Sequence, residues 1–328
     1  MPPSRSAARS ALRAAAGSTA SARPVLVTGA AGGSPGATGG LVTRLLLERG
    51  VPVRALVRAD DHRAAALRRA GAEVAVADLR EVGDLLPALR GVRRAFFTYP
   101  VAAGLLDAAA AFAEAAAAGG LDRVVAVSQL AASPQAPAPH ARRHWLAERV
   151  LDRAGLNPVH LRAGVLFEDL AVVLAAGDER RLALPLGSPC TVLPLVAAAD
   201  VARVAAALLA DPTADPGSIP DPDPVCLLTG QVSSVAEIVT AFDSAAAHGV
   251  SYTDLPEDRW ERQAHLLYRD PVAVEHLRHL WESFRRVGSR REPYPVTDDI
   301  QRYGGAPPTT LAEFARARAR AAEFATAV

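Results

Sequence analysis

From residue 24 to residue 162, short apolar runs alternate with longer amphipathic stretches. The first run is Val25-Leu26-Val27-Thr28. Glycines follow it, then a helical pattern through Leu41, Leu45 and Leu46 that stops at Gly50. Further runs stand at 53–57, 73–77, 94–98 and 123–128. The helical segments between them end at Gly71 and at Gly119-Gly120, and a helix over 142–154 leads to a sixth run at 159–161. The runs are continuous rather than alternating, as expected of strands buried on both faces. Strands spaced by helices predict an α/β fold, a doubly wound parallel sheet with helices on both sides, over residues 24–165. Such sheets bind ligands beyond the carboxyl ends of their strands.

After Gly164 the rhythm loosens. The pattern predicts helices over 166–176 and 198–209, and strands at 191–195 and 225–228 that are candidates to complete the sheet. A Pro- and Asp-rich loop occupies 211–224. Helical periodicity then dominates, over 235–247, 257–267, 272–284 and 311–324. Residues 166–328 are therefore expected to form a smaller, mostly helical substrate cap. Residues 1–23 carry Arg5, Arg9, Arg13 and Arg23 among Ser, Ala and Pro, with no acid. That composition predicts a disordered tail, although an organelle transit segment shares it.

Composition narrows the chemistry. Of 328 residues, 50% are hydrophobic and 22% charged, enough for a sizeable core. The 36 basic and 35 acidic residues leave a net charge of +1, so no direct nucleic-acid partner is expected. Every basic residue is arginine, because the chain has no lysine. This excludes a Schiff-base lysine, a Walker-type phosphate lysine and a Tyr-x-x-x-Lys relay, since arginine does not titrate. Cys190 and Cys226 form no C-x-x-C pair. No apolar run reaches the roughly 18 residues of a membrane helix, and no secretory h-region is present. A reduced cytoplasmic protein without a membrane partner is the expectation.

The first run enters a glycine loop, Gly29 to Gly40, with G-x-x-G-x-x-G spacing at Gly33, Gly36 and Gly39. Residues without a Cβ let the backbone approach a pyrophosphate, and the helix opening at Thr38 offers free N–H groups. Strand, loop and helix in this order point to a nicotinamide dinucleotide. The loop is about four residues longer than usual, so which glycines touch phosphate stays open. The second run ends in Val57-Arg58, 19 residues past Gly39. NAD sites place an acid there for the ribose 2′-OH, whereas the arginine fork suits a 2′-phosphate. NADP(H) is favoured over NAD(H), although Asp60 and Asp61 follow and a surface arginine is the alternative. Asp78 and Leu79, closing the third run, should border the adenine. Thr98, Tyr99 and Pro100, closing the fourth, should border the ribose and nicotinamide.

The chain resembles the short-chain dehydrogenase/reductase superfamily, and more closely its atypical NmrA-like branch. The resemblance rests on V-T-G with the glycine loop, V-R-A-L-V-R at 53–58, A-E-V-A-V-A-D-L at 72–79, H-W-L-A-E-R-V-L at 144–151, H-L-R-A-G-V-L-F-E at 160–168 and A-V-E-H-L-R-H-L-W at 273–281. It implies a Rossmann fold and an NAD(P)H-binding oxidoreductase, quinone-reductase-like, or a redox-sensing regulator that binds the nucleotide and a protein partner without turnover. Typical superfamily members pair a tyrosine with a lysine after the fifth strand. Here His144 and Glu148 stand at that place, one helical turn apart. Ser128 matches the superfamily's serine. His144 is thus either a proton relay, its pKa raised by Glu148, or a structural helix residue. A quinone or conjugated carbonyl needs no tuned acid, because it can take hydride and then a proton from water. Glu275-His276-x-x-His279 reads as a half-buried helix rather than a metal site. Trp260, Tyr268, Trp281 and Phe284 read as cap core or substrate face, and Arg285, Arg286, Arg290 and Arg291 as a solvated patch.

Overall fold

The computed structural model describes residues 23–32, 37–176, 180–210, 223–246, 249–268 and 270–326. Residues 1–22 of the tail expected over 1–23, Gly33 and Gly36, and residues 211–222 of the expected loop lie outside the described residues. Seven strands form the main sheet: β1 (Val25–Val27), β2 (Val53–Val57), β3 (Glu73–Val76), β4 (Arg94–Phe97), β5 (Arg123–Gln129), β6 (Pro158–Ala163) and β10 (Val225–Leu228). Their order is β10-β6-β5-β4-β1-β2-β3, and every pairing is parallel. Strand order reverses between β1 and β4, so a crevice opens beyond their carboxyl ends.

Burial on both faces explains the continuous apolar runs of the interior strands, whereas edge strand β3 is exposed or half-buried along its length. Val25 and Val27 point to one face and Leu26 to the other, and all three are 0% exposed. On the first face pack α1 (Thr38–Glu48), α7 (Ala198–Leu209) and α11 (Asp299–Gly304). On the second pack α3 (Val82–Ala88), α4 (Leu105–Ala118) and α5 (Pro139–Arg153). Between β2 and β3 runs α2 (His62–Arg69), N-capped by the Asp61 carboxylate.

A second lobe has its own core, which contains Trp260, Trp281 and Phe284. It is built from β7 (Val165–Leu166), α6 (Phe167–Ala176), β8 (Arg181–Leu184), β9 (Val192–Val196), β11 (Gln231–Ser234), α8 (Val235–Ala246), β12 (Ser251–Asp254), α9 (Glu257–Leu267), α10 (Pro271–Val287) and α12 (Leu311–Thr326). One expectation divides here. The 225–228 run does join the main sheet, as edge strand β10. The 191–195 run does not: β9 is the centre of a separate sheet, β11-β9-β7. The outer edge of β6 is already taken by β10, with Val225 beside His160. The chain also turns off at Gly164, which passes so close to β9 that a Cβ would lie 2.7 Å from Pro194 O. Edge strand β10 is itself covered. Leu227 N donates to Asp299 Oδ2 (2.7 Å), and Leu227 O accepts from Thr297 Oγ1 (2.9 Å).

Candidate functional site

The crevice is shaped by glycine and sealed by a threonine. At the end of β1 the Thr28 hydroxyl donates to Thr98 O (2.9 Å) and accepts from Thr98 N (2.8 Å), tying β1 to β4 at the reversal point. Gly29 then turns with φ +67, and a Cβ there would lie 2.7 Å from Thr98 Cγ2. Gly39 sits in the first turn of α1, where a Cβ would come within 2.6 Å of Thr28 O and of Gly29 C and O. These positions exclude side chains, so helix and turn meet backbone to backbone. Gly32, not singled out from the sequence, belongs to the same turn: its N–H donates to Gly29 O (3.0 Å). Thr38 opens α1, which has no side-chain cap and no acid in its first turn. Its leading N–H groups are thus available to an anion.

The tips of β2, β3 and β4 frame one side. Arg58 is exposed and makes no hydrogen bond or ion pair among the described residues. Its two acidic neighbours are engaged elsewhere. Asp60 pairs with Arg68 (2.7 Å), and Asp61 caps α2 and pairs with Arg63 (2.6 Å). Asp78 accepts from Arg80 through its backbone N (3.0 Å) and guanidinium (2.6 Å), which hold its carboxyl down at about 2. Leu79 beside it is half-buried. The Tyr99 hydroxyl donates to Ala103 O (3.0 Å) and Pro100 is exposed. The strand-end residues Arg58, Asp78, Leu79, Thr98, Tyr99 and Pro100 therefore gather along one rim.

The other side is organised differently from the expectation. Glu148 is 2% exposed, but it does not face His144. Its carboxylate accepts from the Ser128 hydroxyl (2.6 Å) and from Arg162 Nε (2.9 Å) and NH2 (2.6 Å). Ser128 and Arg162 are register partners on β5 and β6, so the carboxylate bridges the two strands from α5. His144 instead joins an imidazole cluster. Its ring centroid lies 4.9 Å from that of His140, which lies 5.2 Å from His276 on α10. Gln129, at the end of β5, reaches His276 with 3.1 Å between Nε2 atoms. Burial, helped by the neighbouring His140 and His276, pushes His144 well below the usual imidazole range. Burial lowers His140 to about 4 and His276 to about 3. A relay pKa raised by Glu148 is therefore not what this geometry produces. Gln129, His140, Arg162 and His276 were not legible as site residues. Only the side-by-side register of β5 and β6, and the docking of α10 on α5, bring them together.

A sequence profile of the NmrA-like family matches residues 22–315. The NAD(P)H azoreductase of Xenophilus azovorans is 29% identical over 292 residues, covering 88% of this chain and 97% of that one. Among solved structures, an NADPH-dependent quinone oxidoreductase from Escherichia coli, complexed with NADPH, superposes with a TM-score of 0.73 at 22% identity, covering 90% of this chain and 99% of that one. A negative transcriptional regulator, NmrA, in complex with NADP superposes with a TM-score of 0.70 at 18% identity, covering 94% and 98%. At these identities the two structures establish the fold.

Proposed function

The chain belongs to the NmrA-like family, and on that premise we propose that it is an NAD(P)H-binding oxidoreductase, favouring NADPH, that reduces a quinone or conjugated carbonyl. The observation that carries the reading is the side-chain-free backbone cradle of Gly29 and Gly39 beneath an uncapped helix start, with an exposed arginine at the tip of β2 whose guanidinium makes no hydrogen bond or ion pair among the described residues and whose charge acts on Asp78. That combination fits a pyrophosphate and a ribose 2′-phosphate. When bound, the reduced nicotinamide supplies hydride to the acceptor. The chain's own residues bind and orient. Gly29, Thr38 and Gly39 line the pyrophosphate, Gly33 and Gly36 are assigned to it from their spacing in the sequence alone, and Arg58 clamps the 2′-phosphate. Asp78 and Leu79 border the adenine, and Thr98, Tyr99 and Pro100 the nicotinamide ribose. Ser128 spends its hydrogen on Glu148, so it offers the acceptor a lone pair and not a donor. His144 stays neutral at pH 7 and forms a polar wall. The azoreductase and quinone oxidoreductase relatives are named for electron-poor conjugated acceptors, which supports this substrate class.

A second reading has a specific observation in its favour. Both hydroxyls beside the proposed nicotinamide position, on Ser128 and Tyr99, are already committed to the protein. A nucleotide-sensing regulator without turnover would look the same. NADPH oxidation monitored with a water-soluble naphthoquinone and an azo dye separates the two. The oxidoreductase reading expects acceptor-dependent oxidation, and NADPH binding with no oxidation by either acceptor favours the regulator. Cofactor choice is tested by titration. NADPH should bind more tightly than NADH, and Arg58→Asp should cost NADPH at least about tenfold, the loss of one charge-assisted contact. Equal affinities in the parent protein would overturn the preference.

A further inference from the structure

The proposed reduction places an extra electron pair on the acceptor oxygen, and that charge calls for a hydrogen-bond donor. Three polar side chains stand at the carboxyl ends of neighbouring strands: Tyr99 after β4, Ser128 in β5 and Arg162 in β6. Ser128 and Arg162 are register partners, and Tyr99 and Ser128 each lie two residues past the paired Phe97 and Ala126. Alternation along the strands turns all three to the face that α5 covers. Tyr99 packs there with Phe97 and Ala126, and Arg162 follows Leu161, which packs on the opposite face. The Tyr99 hydroxyl donates to Ala103 O, and the Ser128 hydroxyl to Glu148. Gln129 Nε2 is engaged with His276 Nε2, and both ring nitrogens of His140 are enclosed. His144 packs edge-on against His140 and, being neutral, brings no positive charge to oppose an oxyanion.

Arg162 differs from all of these. Its Nε and Nη2 grip the Glu148 carboxylate at 2.9 and 2.6 Å, which fixes the plane of the guanidinium. The opposite edge is left over. Nη1 makes no hydrogen bond among the described residues and is not enclosed, on a side chain 20% exposed. Glu148 is shared, because Arg149 Nη2 approaches it at 3.7 Å while pairing with Asp152 (2.9 Å). We propose that Arg162 is the oxyanion donor of the reduction, a guanidinium anchored on one edge by Glu148 that presents Nη1 to the acceptor oxygen beside Ser128. This deepens the oxidoreductase reading and rests on it. As hydride bonds to one end of the conjugated acceptor, the π electron pair moves onto the carbonyl oxygen. The Nη1–H bond to that oxygen strengthens as its charge develops, and the anchored plane needs no reorganisation. The proton then comes from water, and Arg162 keeps its own, since arginine does not titrate.

Arg162→Met alone would leave the Glu148 charge buried and put the fold at risk, so it is combined with Glu148→Gln. With saturating NADPH and a naphthoquinone, the double variant should show kcat lower than that of Glu148→Gln on the order of 10²-fold, with NADPH affinity unchanged between the two. Arg162→Lys in the parent keeps the charge and should retain more of the rate than the double variant. A second measurement needs no turnover and decides even where Glu148→Gln itself is inactive. The probe is 4-nitrophenol, yellow only as its anion, titrated with base in the presence of NADP+ and excess protein. Bound to the parent it should ionise at lower pH than in free solution, and that shift should be lost in the double variant. An active parent whose double variant keeps the rate of Glu148→Gln overturns the Arg162 role alone. So does a phenol that does not bind, or that ionises in the parent as it does in free solution. A parent that binds NADPH but reduces no acceptor overturns the oxidoreductase reading, and the oxyanion role with it.

Discussion

His140 is 1% exposed, and neither ring nitrogen has a partner among the described residues. Such a group is costly to bury and more costly to charge. Its folded pKa, about 4, lies below the unfolded value near 6.5. Between these values the unfolded chain binds a proton that the folded chain refuses. Stability from this residue is therefore intact above pH 6.5 and is lost as pH falls toward 4. At pH 5 the loss is on the order of 2 kcal/mol. His140→Phe keeps a ring against His144 and His276 and removes the titration. It should be at least as stable as the parent at pH 7, and gain about 2 kcal/mol on it at pH 5 by urea unfolding. The same difference at both pH values would show that the cluster is solvated. Asp169 has the opposite sign, its raised pKa favouring the fold at lower pH, so the parent's curve alone mixes the two. Reading the sequence located residues one at a time and missed how they pair. His144 and Glu148 share a helix face on paper. In the fold Glu148 leans onto the sheet between Ser128 and Arg162, whereas His144 turns to α10. Spacing along a helix cannot see a partner contributed by a neighbouring strand or by a helix more than a hundred residues away.

At the scale of elements, the main sheet was legible because its interior strands are buried on both faces and leave continuous apolar runs, and because helices space them regularly out to the exposed edge strand β3. The observed bounds differ from the expected ones mostly by a residue or two, as for β1 and β4. The strands β7, β8, β11 and β12 of the second lobe were not legible: each is only partly buried, and none sits in the strand–helix alternation that marks the equally short β1, β3 and β4 of the main sheet. What fixes elements across the lobes is polar. Asp200 on α7 is 2% exposed, and its Oδ1 accepts from Arg203 NH2 (2.7 Å) and Thr309 Oγ1 (3.1 Å), while Oδ2 accepts from Thr309 N (2.7 Å). Arg203 also donates to Gly304 O, Ala306 O and Pro307 O. Together they clamp the segment between α11 and α12 onto α7. Asp200→Ala leaves Arg203 without its counter-charge and should cost about 3 kcal/mol in denaturant unfolding. Asp200→Asn keeps the shape and one of the two acceptor oxygens, and should cost less. A loss below about 0.5 kcal/mol in the alanine variant would mean the segment is held by its apolar contacts alone.

At the scale of the whole molecule, the packing does not follow the order of the chain. Sequence rhythm placed a boundary near residue 165, where the strand–helix alternation loosens. Packing follows the sheet instead. Val201, Val204, Leu208 and Leu209 of α7 cover the face formed by Val25, Val27, Val125, Val159 and Leu161, and Ile300 and Tyr303 of α11 join them. Strand β10, also from the second half of the chain, occupies the outer edge of β6. The four α7 side chains alone contribute roughly 6–12 kcal/mol of burial. The net stability of a domain is only about 5–15 kcal/mol. A fragment of residues 1–165 would lose that contribution and leave the His160–Ala163 ladder open to pairing with other chains. It should show no cooperative melt by circular dichroism and no NADPH binding in titration, although it carries the whole glycine turn and Arg58. A fragment that melts cooperatively and binds NADPH with parental affinity would mean that α1 and β1–β6 form an independent unit. The later elements would then act as a cover for the crevice and not as part of its foundation.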